Sequence, residues 1–274
     1  MFPTNIGNQL FLNIQGQGPA LILLHSWCGS HLEWAKLMPE LSKHFTVYAW
    51  DARGHGRSQL TSKPPYTLEH LADDLNDLIS ENNLVKPMIV GHSMGAFIMW
   101  KYLEKYGQDN VSKIGIIDQT PKLVTDDTWE YGIYGRFNER DNRIFMFSMQ
   151  EDFSECVLKL AAFGHNHATR KKYAEDTKGI KATRNLLKAY DPKPLIEIWK
   201  ELTESDFRTL LTELKIPTLL IYGEKSNYYG KSTAEFVHNS IGDSTLHLYE
   251  DADHSPHLKQ PERFIQDLLE FSKK

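Results

Sequence analysis

The feature that most constrains this chain is an alternation. Short apolar runs of β character recur, and longer segments of helical period stand between and after them. The runs are Ala20 to Leu24, Phe45 to Trp50, Pro87 to Val90, Ile114 to Ile117, Thr218 to Tyr222 and Thr245 to Tyr249. Four of them are almost wholly apolar, as parallel strands buried on both faces must be. The helical segments include Leu32 to Leu41, Leu68 to Ile79, Ala96 to Tyr106, Lys231 to Ser240 and Pro261 to Phe271. Such alternation builds a parallel sheet with helices on both sides. An amino-terminal stretch, Gln9 to Gln15, alternates as an antiparallel edge strand would.

The alternation breaks between Gln119 and Lys215, a stretch rich in aromatics and charges with several helical patterns and no convincing strand. It is too long for a loop. The expectation is a core of residues 1–118 and 216–274, with residues 119–215 inserted as a helical cap over the carboxyl ends of the strands.

A chain of 274 residues with a net charge of -5 and no basic run does not suit a nucleic-acid or anionic-membrane partner. No apolar run approaches the roughly 20 residues that span a bilayer. The first eight residues have neither the charged start nor the apolar core of a signal peptide. Cys28 and Cys156 are far apart and fit no metal pattern. They read as reduced thiols in a cytoplasmic protein, although a pair of cysteines also leaves room for one disulfide.

The strongest local signal is Gly91-His92-Ser93-Met94-Gly95. Gly-x-Ser-x-Gly alone is weak, but here it follows the buried strand Met88-Ile89-Val90 and opens a helix. A strand-to-helix turn this tight strains the serine and needs small neighbours, which Gly91 and Gly95 supply. It presents Ser93 at the carboxyl end of the strand, where open α/β sheets bind ligands. Helix capping is the plainer reading of that serine. As a nucleophile it needs a base. His254, in Asp253-His254-Ser255-Pro256-His257 after the last strand, is the first candidate, with His257 as alternative. An oxyanion needs two N–H donors. Met94 follows the serine, and Trp27 stands in the loop His25 to Ser30, where its side chain would wall the pocket.

These residues carry a resemblance. The chain resembles the α/β-hydrolase superfamily, in its capped esterase, lactonase and haloperoxidase-like branch. Besides the serine turn, His25 to Ser30 is similar to the family's oxyanion loop, Asp51 to Ser58 to the loop after its next strand, and Ala252 to Phe264 to its terminal histidine block. The resemblance implies an eight-stranded, mostly parallel sheet. It implies a structural role for Asp51, Arg53 and His55. Two positions depart from the family pattern. Ser26 stands where glycine is usual. Ser226, in Gly223-Glu224-Lys225-Ser226-Asn227, stands where the family's acid is usual. Asp118, at the tip of the strand Ile114 to Ile117, is the proposed replacement acid. Glu224 and Asp251 are in reserve, and a helix-capping role for Asp118 is the plainer alternative.

The expected chemistry is serine-dependent cleavage of a carboxylic ester, or of a lactone, through an acyl-enzyme, with no metal or organic cofactor. Trp27, His92, Trp129, Tyr134 and Tyr228 are the expected substrate contacts, although such aromatics equally form a cap's own core. His165 and His167 lack a convincing third metal ligand. Two other functions stay open: a binding receptor with a weakened triad, and cleavage of a carbon–carbon bond beside a carbonyl.

Overall fold

The computed structural model describes residues 1–5 and 7–274. Its centre is a seven-stranded sheet. Leu12–Gln15 (β3), Ala20–Leu24 (β4), Thr46–Trp50 (β5), Met88–His92 (β6), Lys113–Ile117 (β7), Thr218–Gly223 (β8) and Ser244–Tyr249 (β9) lie in the order β3-β5-β4-β6-β7-β8-β9. Only the edge strand β3 runs antiparallel, pairing Leu12 with Trp50 and Gln15 with Val47. Phe2–Pro3 (β1) and Gln9–Leu10 (β2) form a separate antiparallel pair. The eight-stranded sheet expected from the family is therefore seven strands here. The amino-terminal run divides at Phe11: its first half pairs with β1, and its second half joins the sheet.

Both faces of the central strands are buried, with the two-residue period of a pleated strand. Leu21 and Leu23 enter one core with Trp34, Val47, Phe264 and Leu268. Ile22 and Leu24 enter the other with Leu75, Ile89, Phe97 and Trp100. The helix Leu68–Glu81 meets that second core through Leu68, Leu71, Ala72, Leu75, Leu78 and Ile79, the i, i+3, i+4 stripe of an amphipathic helix. Each fully buried leucine contributes roughly 1.5–3 kcal/mol. Thr67 starts the helix by accepting a hydrogen bond from the His70 N–H.

The helix expected over Leu32 to Leu41 is two pieces, a 3₁₀ turn His31–Trp34 and a short α-helix Met38–Leu41. Pro39 stands in the first turn of the second piece. It lacks an N–H and would clash with the carbonyl four residues earlier, so no continuous helix can run through it. His31 and Glu33 lie in the first piece, His31 facing Asp51 and Glu33 facing His92.

Six α-helices lie between β7 and β8: Glu139–Glu151, Phe153–Ala162, His167–Ala174, Lys178–Lys188, Pro192–Glu204 and Arg208–Glu213. Among the described residues this segment holds only isolated β-bridges, Thr125 with Asn138 and Asp126 with Trp129. No helix among the described residues is long and apolar enough to cross a membrane.

Strand register decides what meets at the sheet's edge. His92 pairs with Ile117 across β6 and β7, and Ile117 pairs with Ile221 across β7 and β8. The next residues, Ser93 and Asp118, therefore emerge side by side. Their N–H groups donate to Ile117 O at 3.1 Å and Ile221 O at 2.8 Å. Gly223 at the end of β8 pairs with Tyr249 of β9, which brings the loop carrying His254 to the same edge.

Candidate active site

Ser93 joins β6 to the helix Met94–Tyr106 with φ 53° and ψ -116°. A non-glycine residue rarely takes such a φ, and it persists only where the surroundings dictate it. They do so here. A Cβ on Gly91 would run into the backbone of Gly95 and Ala96, and one on Gly95 would run into the backbone of Leu24. The helix can pass this close to the sheet only on two glycines. The sharp turn leaves Ser93 partly exposed between buried neighbours.

His254 follows β9, and its Nδ1 lies 3.0 Å from Asp118 Oδ2. Asp118 is fully buried, with φ 45°. Burial pushes the Asp118 carboxyl well up, opposed by the Ser226 hydroxyl and then by the charge of His92. Burial likewise pulls the His254 imidazole well down, and the neighbouring His92 adds to this. A neutral ring whose Nδ1–H faces a carboxylate has the lone pair of its other nitrogen free to take a proton. The His254 N–H bonds to Asn227 Oδ1 at 3.3 Å, and the Asn227 side chain also donates to Ala161 O at 3.0 Å, tying the loop to the helical segment.

The other candidates are placed elsewhere. His257 is buried, and its Nε2 faces Glu33 at 3.2 Å rather than the cavity. Burial takes that ring down to about 4. Glu224 is exposed, and Asp251 is exposed and paired with Lys225. Arg53, Asp51 and His55 are buried in their own hydrogen-bond networks. Both cysteines are free thiols.

Ser93 and His254 line one cavity of about 180 Å³ with Trp27, Met94, Gln119 and Tyr228. Its far wall is apolar: Leu123, Ile133, Val157, Leu160, Trp199 and Leu202. Among the described residues, neither the Trp27 nor the Met94 N–H has a backbone acceptor. The Trp27 indole donates to Leu195 O at 2.9 Å, and its ring packs against Trp199 at 4.7 Å. Tyr228 stands edge-on to the His254 ring, with centroids 4.5 Å apart.

Two expected contacts are corrected. Trp129 does not line the cavity; it is buried against Tyr131 and Phe236, with its indole bonded to Lys122 O at 2.9 Å. Tyr134 stands one layer back, stacked on Tyr228 with its hydroxyl on Leu160 O. Aromatic character alone does not separate a cavity wall from a core, because core packing uses aromatics equally well. His92 touches the cavity, but both its ring nitrogens are engaged below it. Tyr229 lines the cavity beside Tyr228, as the Tyr228-Tyr229 pair suggests, whereas Gln119 and Glu33 belong to no motif in the sequence. Gln119 Oε1 accepts from the Tyr229 hydroxyl at 2.5 Å. Only the position of Gln119 directly after Asp118 offered a signal.

Residues 19–261 match the family described as alpha/beta hydrolase fold. Along the sequence, the chain is 26% identical over 272 residues to a pimeloyl-[acyl-carrier protein] methyl ester esterase of Vibrio vulnificus strain YJ016, covering 98% of this chain and 100% of the relative. In three dimensions it is similar to a bromoperoxidase from Bacillus anthracis, with TM-score 0.86 and 21% identity over 100% of this chain and 99% of that one. It is also similar to an esterase from Exiguobacterium antarcticum, with TM-score 0.84 and 22% identity over 100% and 98%.

Proposed function

This chain belongs to the α/β-hydrolase fold family and is a carboxylic-ester hydrolase, and we propose that Ser93, His254 and Asp118 carry its chemistry. The observation that carries this assignment is the 3.0 Å contact of His254 Nδ1 with the buried Asp118, in a cavity that also contains the strained Ser93. His254 Nε2 removes the proton from Ser93 Oγ as that oxygen attacks the ester carbonyl. The N–H groups of Trp27 and Met94 hold the oxyanion. His254 then protonates the departing alcohol, and the serine remains acylated. Water attacks the acyl-enzyme with His254 again as base, releasing the acid and restoring the hydroxyl.

The helices between β7 and β8 act as the cap in this reading. They supply Val157, Leu160, Trp199 and Leu202, an apolar wall suited to a short acyl chain. A lactone presents the same carbonyl chemistry and is a further candidate substrate. Against a binding receptor, the Asp118–His254 contact supports a complete triad despite Ser226 at the usual acid position.

A fluorophosphonate probe tests the proposal. Rapid covalent labelling of the wild type, lost in Ser93→Ala together with hydrolysis of short acyl esters, is expected. Ester hydrolysis unchanged in Ser93→Ala would remove Ser93 from the mechanism.

A further inference from the structure

A polar cluster lies beneath the cavity and takes no part in the steps above. Glu33 Oε2 accepts from the Ser26 N–H at 3.0 Å and from the Ser26 hydroxyl at 2.7 Å. Glu33 Oε1 faces His92 Nδ1 at 2.7 Å and His257 Nε2 at 3.2 Å. His92 Nε2 faces the backbone oxygen of His254 at 2.8 Å. The side chains of Glu33, His92 and His257 are 7%, 2% and 0% exposed, so water supplies little of their hydrogen bonding. One carboxylate and one imidazole thus link the loop holding Trp27 to the loop holding His254, passing directly under Ser93.

Proton counting restricts the charge state. A carboxylate and a carbonyl oxygen only accept, and a neutral imidazole has one N–H. His92 has an acceptor at each nitrogen. It satisfies both as an imidazolium beside ionised Glu33. Moving the shared proton to Oε1 gives a neutral pair, but the remaining donors on Glu33 all favour a negative charge there. His257 fits the same count: its Nε2–H serves Glu33, and its Nδ1 has no partner among the described residues. The three donor atoms lie within 4.8 Å of one another, a metal-like spacing, yet both histidine nitrogens already meet a single carboxylate oxygen at hydrogen-bond distance.

We infer that Glu33 and His92 form a buried carboxylate–imidazolium pair that positions the oxyanion loop and the His254 loop on either side of Ser93. The inference rests on the catalytic reading above. It also accounts for Ser26 where the family usually has glycine: the hydroxyl gives Glu33 a second hydrogen bond from that loop. Burial opposes charge on both partners, yet their mutual attraction leaves Glu33 well below and His92 above their ordinary ranges. His92 is faced by Glu33, His257, His254 and Asp118. His254 is faced by His92, Asp118, Asp253, Glu33 and the neutral Tyr228 and Tyr229. The rings of His92 and His254 are 4.8 Å apart, so a fixed cation there disfavours a second one on the base.

Side-chain ¹⁵N NMR of the wild-type protein reads this directly, with His92→Gln used to assign the signals. Both His92 nitrogens are expected to carry protons at pH 7. In kinetics, Glu33→Gln is expected to lower kcat on a short ester by up to about 100-fold with a smaller change in KM, since misplacing the reacting groups costs rate. In His92→Gln the acid limb of kcat/KM is expected to move up by roughly one pH unit, because the cation beside the base is gone. A His92 ring with one N–H at pH 7, or a folded Glu33→Gln with wild-type kcat, overturns the inference. Fluorophosphonate labelling of the wild type separates the two levels. Labelled Ser93 with a neutral His92 sinks this inference alone, and unlabelled Ser93 sinks the reading beneath it.

Discussion

Asp118 and His254 meet at 3.0 Å although 136 residues of chain separate them, and Ser226 stands beside the carboxylate at the position where the resemblance leads one to expect an acid. In the proposed triad the acid stands at the tip of β7 and not after β8, still facing His254 Nδ1. Asp118→Asn should therefore fold and lose about 10³–10⁴ in kcat, because an amide can stabilise the wrong tautomer and cannot balance an imidazolium. Adding Ser226→Asp to that variant should recover at least part of the loss. Steady-state kinetics on a short acyl ester measures both, and wild-type turnover in Asp118→Asn would make the residue structural.

The nucleophile turn depends on its glycines. Gly95→Ala places a methyl against the backbone of Leu24, which cannot move without disturbing the sheet. A loss of about 1–3 kcal/mol is expected from such overpacking. Urea unfolding of the variant beside wild type reads it. Equal midpoints and slopes would mean that the helix stands farther from β4 than described.

The pH dependence has a defined sign. Burial, and then His92, holds the His254 imidazole well below 6.5. The base works only when neutral, so activity should persist below pH 6.5 and fall as the pH drops through its folded-state value. The same depression, shared by His25 and His257, means that the unfolded chain binds more protons below pH 6.5. The contribution of these three rings to stability should therefore be lost with acidification in that range, while the raised carboxyls of Asp118 and Asp74 act with the opposite sign. His92 acts in the same direction as these carboxyls, since its raised value adds stability that is lost as the pH rises through it. A kcat/KM profile with its acid limb at or above pH 6.5 would contradict the His254 assignment.

Arg53 tests the separation of stability from chemistry. Its guanidinium grips Asp74 with two hydrogen bonds, of 2.6 and 2.5 Å, with both side chains almost wholly shielded. Arg53→Ala strands a buried carboxylate and should cost about 3–5 kcal/mol. The fraction that remains folded should keep its kcat. A variant that kept its thermal midpoint and lost turnover would move Arg53 into the machinery.

Chain-length preference should respond to the apolar wall. Val157 lines the cavity from the helix Phe153–Ala162 and is only partly buried, so it can be enlarged at small structural cost. Val157→Phe should lower kcat/KM for butyrate against acetate esters by about tenfold, the order expected for methylenes in an apolar pocket. An unchanged ratio would place the acyl group elsewhere.

The sheet is legible in the sequence itself. Strands buried on both faces require unbroken apolar runs, and those runs stand in the sequence to within a residue or two: Ala20–Leu24 coincides with its run, and Met88–His92 and Lys113–Ile117 nearly do. The nucleophile turn was legible for the same local reason, since a crossing this close admits only glycine at 91 and 95. The division of the first helix was harder to see. The apolar spacing across Leu32 to Leu41 is that of one helix, and the break at Pro39 shows only in the structure.

Local chemistry thus determined the strands, the turn and the residue types available for a hydrolytic site. Only the tertiary structure decided which of them meet. The meeting of Asp118 with His254, the burial of Trp129 away from the cavity and the shared carboxylate of Glu33 all depend on strand register and on contacts between distant loops. Such contacts are fixed by distances in space, and a periodicity reports which side of an element is buried without naming its partner.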